Sequence, residues 1–391
     1  MASLATDDYP TLGAHRPRVT FIYLGTANAF ASFVIELANA SRFLTDIQCA
    51  FIVAADRPLN AELTSLGVRV LSVPAIDQHR PLDFFRRYFQ ARKAVLSFLD
   101  TEKPERVITL MPHVWSPVLA PAIKRRCSAY VTIVHDAASH PGDRSGWVTP
   151  WLLWDARLAD SVVTLSRSVA QVLMRRRVVP SRRVLSLYHP HLKARGRNEI
   201  RQLETGRPLR LLFFGRILAY KGLPLLVEAI ELLKARGVSV SLGVVGAGDI
   251  GSLRSRLAAL DAEVINRTLP DAEVAELLTR YDAVTCSHIE ASQSGVAALA
   301  FGNCMPVVAT PVGGLVEQVI PGQTGVLAAS VTPRALADAI YQLNATPGFY
   351  DQISRCLKEI YPDRSMAKFL AEMFSGTPSV DSRRRCSSTS I

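Results

Sequence analysis

The sequence predicts an α/β protein made of two parallel-sheet domains in series, and three observations predict it. Short apolar runs alternate with helix-spaced segments of about 10–15 residues, the signature of βαβ units. That rhythm breaks once, in the polar and basic stretch HPHLKARGRNEIRQLETGRPLR (189–210), and then restarts. At 391 residues, 49% of them hydrophobic, the chain has apolar material for two cores rather than one.

In order along the first half, RVTFIYLG (18–25) is a short apolar run ending in glycine, and AFASFVIELANASRFL (29–44) has helical spacing. DIQCAFIVAA (46–55), VRVLSVPA (68–75), RVITLMP (106–112) and AYVTIVHDA (129–137) are expected strands. TPWLLWDARLA (149–159) is an expected helix and DSVVTLS (160–166) a strand. After the break, LRLLFFGR (209–216) is a buried strand, LPLLVEAIELLKARG (223–237) a helix closed by Gly237, and VSLGVVGAG (240–248) a strand ending in glycines. Helix DAEVAELLTRY (271–281), strands DAVTCS (282–287) and MPVVATP (305–311), and helices PRALADAIYQLNA (333–345) and YDQISRCLKEIY (350–361) complete the pattern. The expected organisation is a first domain over 1–190, a linker over 191–208 and a second domain over 209–346. C-terminal helices over 347–375 are expected to pack back on the first domain, and the small, polar, basic tail 376–391 to stay disordered.

Several classes are set aside by composition. No run of about 18 apolar residues is present to span a membrane. The first residues, MASLATDDYPTLGAHRPR, carry acids and no apolar core of a secretory signal. Six cysteines without any CxxC pair read as reduced cytosolic thiols, not a zinc or disulfide framework. The net charge of +11 is concentrated in DFFRRYFQARKAV (83–95), AIKRRCSA (122–129) and VLMRRRVVPSRRV (172–184). It is compatible with solvated helix faces or with an anionic partner. No nucleic-acid recognition motif accompanies it. Arginines beside Phe84, Phe85, Tyr88 and Phe89 suit an amphipathic helix lying on an anionic membrane surface.

In open α/β sheets ligands sit beyond the carboxyl ends of the strands, and the second domain has three such ends with suggestive chemistry. In FFGRILAYKG (213–222), Gly215-Arg216 and Lys221 surround a strand-to-helix turn, where two cations can grip a diphosphate. SQSGVAAL (292–299) opens a helix whose first amides, at Ser294, Gly295 and Val296, form an anion site through free N–H groups and the helix dipole. Glu290 precedes it, and TPVGGLVEQV (310–319) adds a further glycine turn with Glu317 behind it.

The ordered set FGR…YKG, GAG, acid plus small-residue turn, PVVAT-x-VGG-x-x-E and PGQTGVL resembles the second domain of the retaining family 4 (group 1) glycosyltransferases. The likeness is strong over about 205–330; in the first half it rests on layout, TIVHD and HPG (140–142). It implies the GT-B fold, two Rossmann-like domains facing across a cleft, and a nucleotide-sugar donor with UDP or GDP as carrier. By the resemblance Arg216 and Lys221 bind the diphosphate, as do the amides at Ser294, Gly295 and Val296, with Gly215 in the same turn. His135 corresponds to a first-domain histidine near the donor sugar. Gly246, Gly248 and Arg267 fall in the expected base pocket. Many members carry two glutamates eight residues apart. Glu290 comes close to the first, which meets donor-sugar hydroxyls, but where the second would bind ribose stands Ala298 by spacing or Leu299 when aligned on Pro306, and neither is a carboxylate. This chain therefore resembles the SQSGV branch. Cys304 likewise replaces a glycine usual two residues before Pro306.

No D-x-D occurs, so no metal is expected and no cofactor beyond the donor. The expected activity is retaining hexosyl transfer to a saccharide, on a polyprenyl-diphosphate carrier at the cytoplasmic leaflet, in polysaccharide or glycolipid synthesis. Competing readings are a sugar-nucleotide epimerase or phosphorylase of the same layout, and a catalytically silent partner of an active transferase.

Overall fold

The computed structural model describes residues 16–25, 30–55, 57–75, 83–138, 148–194, 199–204 and 206–376. The first half runs β1 (Arg18–Tyr23), α1 (Ala31–Ser41), β2 (Gln48–Ala54), α2 (Arg57–Ser65), β3 (Arg69–Val73), α3 (Phe84–Glu102) and β4 (Arg106–Thr109). It continues through α4 (Ser116–Lys124), β5 (Ala129–Val134), α5 (Thr149–Leu158), β6 (Ser161–Thr164), α6 (Arg167–Arg175) and β7 (Val184–Ser186). The second sheet begins with β8 (Leu209–Phe214), α7 (Leu223–Ala235), β9 (Val240–Val245), α8 (Arg254–Ala259), β10 (Glu263–Ile265) and α9 (Asp271–Arg280). Then come β11 (Ala283–Cys286), α10 (Gly295–Gly302), β12 (Val307–Ala309), α11 (Leu315–Gln318), β13 (Gly325–Leu327), α12 (Pro333–Ala345), α13 (Phe349–Ile360) and α14 (Met366–Ser375).

The sheets are ordered β3-β2-β1-β4-β5-β6-β7 and β10-β9-β8-β11-β12-β13, with the described strand pairs parallel. A parallel sheet covered by helices on both faces buries both sides of each central strand, so such strands are nearly continuous apolar runs. In β1, five of the six residues, Val19 to Tyr23, are buried. Each sheet reverses direction beside its first strand, between β1 and β4 and between β8 and β11. Those switch points open crevices at the strands' carboxyl ends.

The α/β reading holds, with instructive differences. Expected strands overran their carboxyl ends: β4 stops at Thr109, β5 at Val134 and β9 at Val245. Beyond those ends Leu110 and His135 are buried and Gly246 and Gly248 turn with positive φ, so the apolar and glycine signal outlasts the ladder. The short elements α2, α4, α8, β7 and β10 carry too few residues for a clear period, while α6 has one but reads in sequence as part of a basic stretch. Cys49, Cys127, Cys286 and Cys304 are free thiols, whereas Cys356 is disulfide-bonded, unlike the all-reduced expectation.

The stretch expected to be a polar linker is partly core. His189, His191, Leu192 and Ala194 are buried. The Leu192 amide donates to the Ala298 carbonyl at 3.0 Å, and a Cβ on Gly302 would stand 2.0 Å from the Leu192 carbonyl oxygen. A glycine there is what lets the chain cross directly over α10. Arg201 donates to the carbonyls of Leu278, Tyr281 and Asn303, tying the crossing to the ends of α9 and α10. Cys304 has φ +53°, the left-handed backbone region in which glycine is favoured.

α14 returns to the first sheet's side and packs on α1, with the Phe33 and Phe369 rings 6.0 Å apart. Across the cleft the Glu317 carboxylate accepts from the amides of Arg167 and Ser168 at 2.8 and 2.7 Å, at the N-terminus of α6. Ser166 Oγ donates to the Ser292 carbonyl at 2.8 Å.

Candidate functional site

Beyond β8 the chain turns through Gly215, with φ +100°. A Cβ there would lie 2.9 Å from Lys221 Nζ and 3.5 Å from Val296 Cγ2, so the lysine and the first turn of α10 converge on this glycine. Gly246 has φ +149°, and its Cβ would stand 1.9 Å from the Gly215 carbonyl oxygen. Gly248 would meet the Ile217 carbonyl at 2.3 Å. The GAG pattern is thus a backbone-on-backbone contact that no side chain could enter.

Lys221 ends a short 3-10 turn, Ala219–Lys221. Its carbonyl accepts from Ser287 Oγ at 3.0 Å, which fixes it against the end of β11. Burial pushes its ammonium down from 10.5 to about 8; the Cys286 thiol opposes the shift and the Arg216 charge adds to it. Arg216 itself is exposed at the mouth.

Ser294 caps α10 by accepting from the Ala297 amide at 3.2 Å. Its own amide, expected to face an anion, instead donates to Gln318 Oε1 at 2.7 Å, and Gln318 Nε2 donates back to the Ser294 carbonyl. Ser294 therefore holds the helix start. The amides of Gly295 and Val296 have no hydrogen-bond partner among the described residues. Glu290 is exposed and lines an interdomain cavity of about 330 Å³ with Ala137, Ser168, Val169, Ser292 and Gly313. A Cβ on Gly313 would stand 1.7 Å from the Ala291 carbonyl oxygen, which accounts for the VGG turn packed beneath Glu290.

From the first domain, His135 follows β5 and donates from Nε2 to the Leu110 carbonyl at 2.8 Å. Burial lowers its pKa, so the ring is neutral and Nδ1 is left as an acceptor. Its ring meets the edge of Phe30 at 4.6 Å. The HPG stretch lies outside the described residues. Arg267 is not free for a ligand here: it is paired with Glu273 in the first turn of α9. Asn266 beside it is the residue that touches the GAG turn, through both its amide groups on Gly248 at 3.1 and 3.0 Å.

Sequence reasoning missed Asn266, Gln318 and His189. A lone Asn or Gln carries no periodic signal, and only the fold shows what each brackets. His189 stood in an HPH triplet directly after an apolar strand, a cue overlooked because the triplet opens the polar stretch. A larger cavity of about 520 Å³ lies behind α10, lined in part by Tyr188, His191, Phe301, Arg364 and Glu372. Arg216, Lys221 and Glu290 are not among its walls.

Residues 31–188 match the model of the glycosyl transferase 4-like domain, and residues 208–345 that of glycosyl transferases group 1. This chain belongs to the group 1 glycosyltransferases of the GT-B fold. Among relatives, this glycosyltransferase is 28% identical to a glycogen synthase of Mycobacterium tuberculosis over 291 residues, which is 68% of this chain and 66% of that protein. It is 32% identical over 145 residues to a D-inositol 3-phosphate glycosyltransferase of Pseudarthrobacter chlorophenolicus, 35% of this chain and 34% of the relative. The fold of Anabaena HepE, solved in complex with UDP and glucose, superposes with a TM-score of 0.68 at 17% identity, covering 92% of this chain and all 100% of that one. A UDP-GlcNAc 2-epimerase of Neisseria meningitidis shares the fold at a TM-score of 0.58, 11% identity and 92% coverage of this chain, against 100% of that one.

Among the described residues, no helix is long and apolar enough to cross a membrane.

Proposed function

We propose that this glycosyltransferase moves a sugar, with retention at the anomeric carbon, from a UDP- or GDP-linked donor to a lipid-linked saccharide in polysaccharide or glycolipid synthesis. The observation that carries the reading is the convergence of Lys221 Nζ, Gly215 and the first turn of α10 at the switch point of the second sheet. Two cations and two unpaired amides at one crevice suit a diphosphate.

In this reading Arg216 and Lys221 neutralise the charge that grows on the leaving phosphate, and the Gly295 and Val296 amides hold its oxygens. The protein thereby lowers the barrier electrostatically. The bond from the anomeric carbon to the phosphate oxygen breaks through an oxocarbenium-like state. The acceptor hydroxyl attacks from the same face and passes its proton to the departing phosphate. Glu290 and the neutral His135 accept hydroxyls of the donor sugar. Gly246, Gly248 and Asn266 border the base. Metal-independent transfer is part of the proposal, since these cations and amides supply the positive field.

The reading is tested by thermal shift with UDP, GDP, UDP-glucose and GDP-mannose on wild type and Arg216→Ala/Lys221→Ala. Stabilisation by one nucleotide series, lost in the double variant, is expected. No shift for wild type at millimolar ligand would remove the donor site.

A lipid-borne acceptor and a peripheral position on the cytoplasmic leaflet are supported by the surface of the first domain. On α3, Phe85 and Phe89 are 69% and 62% exposed, one turn apart, with Arg86 and Lys93 exposed beside them. Trp151 and Trp154 are exposed on α5, and α4 packs against both helices. Aromatic bodies entering the headgroup layer beside cations fit an anionic interface, each cation adding about 1 kcal/mol. Pelleting with phosphatidylglycerol vesicles should exceed that with phosphatidylcholine, and Phe85→Ser/Phe89→Ser should abolish it. Equal, negligible pelleting with both lipids would sink the membrane assignment.

A further inference from the structure

His189 is one of the site residues that neither the motif set nor the resemblance points to. It follows β7 where the chain crosses between the domains and is 5% exposed. Its Nδ1 lies 2.9 Å from the Pro190 carbonyl oxygen, which can only accept, so Nδ1 carries the proton. The other nitrogen, Nε2, has no hydrogen-bond partner among the described residues. It stands 3.7 Å from where a Cβ of Gly295 would be, at the N-terminus of α10 whose first amides are unpaired. A phosphate oxygen held by those amides would lie against Nε2.

We propose that His189 is a donor-binding residue whose Nε2 takes up a proton as the diphosphate arrives and then donates a hydrogen bond to it. This rests on the donor site proposed above. The reason is a mismatch of roles. Nε2 is a lone-pair acceptor beside the first turn of α10, whereas a phosphate offers only acceptors. The two can share the space only if Nε2 gains a proton, and the anion supplies the field that favours it.

The surroundings keep the ring neutral until then. Burial pushes its pKa down to about 4, and His135 acts in the same direction. Phe33 of α1 stands edge-on to both rings, 5.7 Å from His189 and 6.2 Å from His135. His191, on the same crossing segment, is itself held to about 3 by burial, Arg364 and His189. Lys221 Nζ and Val296, the second residue of α10, converge on Gly215 beside this helix start. Glu317, Glu372, Arg167 and Arg364 line a cavity that His189 also borders, but the titratable neighbour that shifts the ring is His135.

The test is calorimetry of wild type with UDP-glucose or GDP-mannose, at about pH 6.5, in buffers of differing ionisation heat. A sugar-linked diphosphate has no terminal phosphate to titrate, and Lys221 is already charged at that pH, so protons counted there report on the site. Uptake approaching one proton is expected, with affinity falling by up to about tenfold per pH unit as the pH rises from the free ring's pKa of about 4 towards the liganded one, and levelling off above it. His189→Asn can keep the bond to the Pro190 carbonyl while removing Nε2; it should bind about tenfold more weakly and without proton uptake. His189→Gln, which places an amide N–H near Nε2, should recover affinity with no proton uptake. Binding by wild type without uptake, or uptake surviving in His189→Asn, overturns the assignment while leaving the donor site intact. Failure of wild type to bind either nucleotide-sugar overturns both, and the binding isotherm alone tells these cases apart.

Discussion

Lys221→Met should give a protein that melts higher than wild type and binds nucleoside diphosphate about 10- to 100-fold more weakly. Both effects come from one buried ammonium. Holding it at about 8 instead of 10.5 means the fold carries a charge it disfavours, at a cost of about 3 kcal/mol at neutral pH. Methionine has a similar reach and no charge, so removing the penalty should raise Tm by several degrees, on the order of 5 °C. The diphosphate then loses a charge-assisted contact of about 1.5–3 kcal/mol. The pH dependence follows with opposite signs. The folded pKa lies below the unfolded one, so between about pH 8 and 10.5 the unfolded chain binds more protons and stability rises with pH. Over the same range the free site loses its cation, so affinity falls by up to about tenfold per pH unit above 8. Scanning calorimetry and titration calorimetry between about pH 7 and 10 check both slopes. Equal nucleotide affinity for variant and wild type would exclude Lys221 as a phosphate ligand.

Gly246→Ala should destabilise the second domain by about 3 kcal/mol or more and abolish nucleotide binding together with it. The added methyl would lie 1.9 Å from the Gly215 carbonyl oxygen, at a φ of +149° that an L side chain rarely adopts. A rigid carbonyl cannot yield as the end of a side chain can. The ends of β8 and β9 would have to part, and Gly215 would leave its place beside Lys221. Strain of this type belongs to the small set of substitutions with large effects. Gly295→Ala is the informative contrast, because its methyl would find only His189 Nε2, at an ordinary 3.7 Å. It should melt like wild type. Urea denaturation of the two variants checks the difference, and a Gly246→Ala protein with wild-type stability would refute the backbone contact.

The alternation of apolar runs and helix-spaced segments was legible because a parallel sheet buries both faces of its central strands and leaves a continuous hydrophobic signature, as in β1 and β8. The chemistry at the ends of β8 and β11 was legible for a related reason. Gly246 and Gly313 are forced by backbone contacts and Gly215 by its positive φ, with Lys221 six residues from Gly215 and the α10 cap four residues after Glu290. Local rules of turn and helix start suffice for that much, and the same rules placed Glu290 ahead of its turn.

What they could not decide is which groups are already spent and which meet across the cleft. The Ser294 amide belongs to Gln318, 24 residues on, and Arg267 belongs to Glu273. Glu317, placed by sequence merely behind a turn, reaches 150 residues back to the N-terminus of α6. The segment with the plainest linker composition proved to be packed between α1 and α10, carrying His189 to the helix N-terminus. Composition reports how much polar surface a stretch has, not whether its partners are water or distant backbone. Two Rossmann-like sheets, and the strand ends where an anion could sit, follow from the order of residues along the chain. The tertiary structure alone decided which donors are unsatisfied there, because satisfaction of a buried polar group depends on neighbours that sequence separation does not encode.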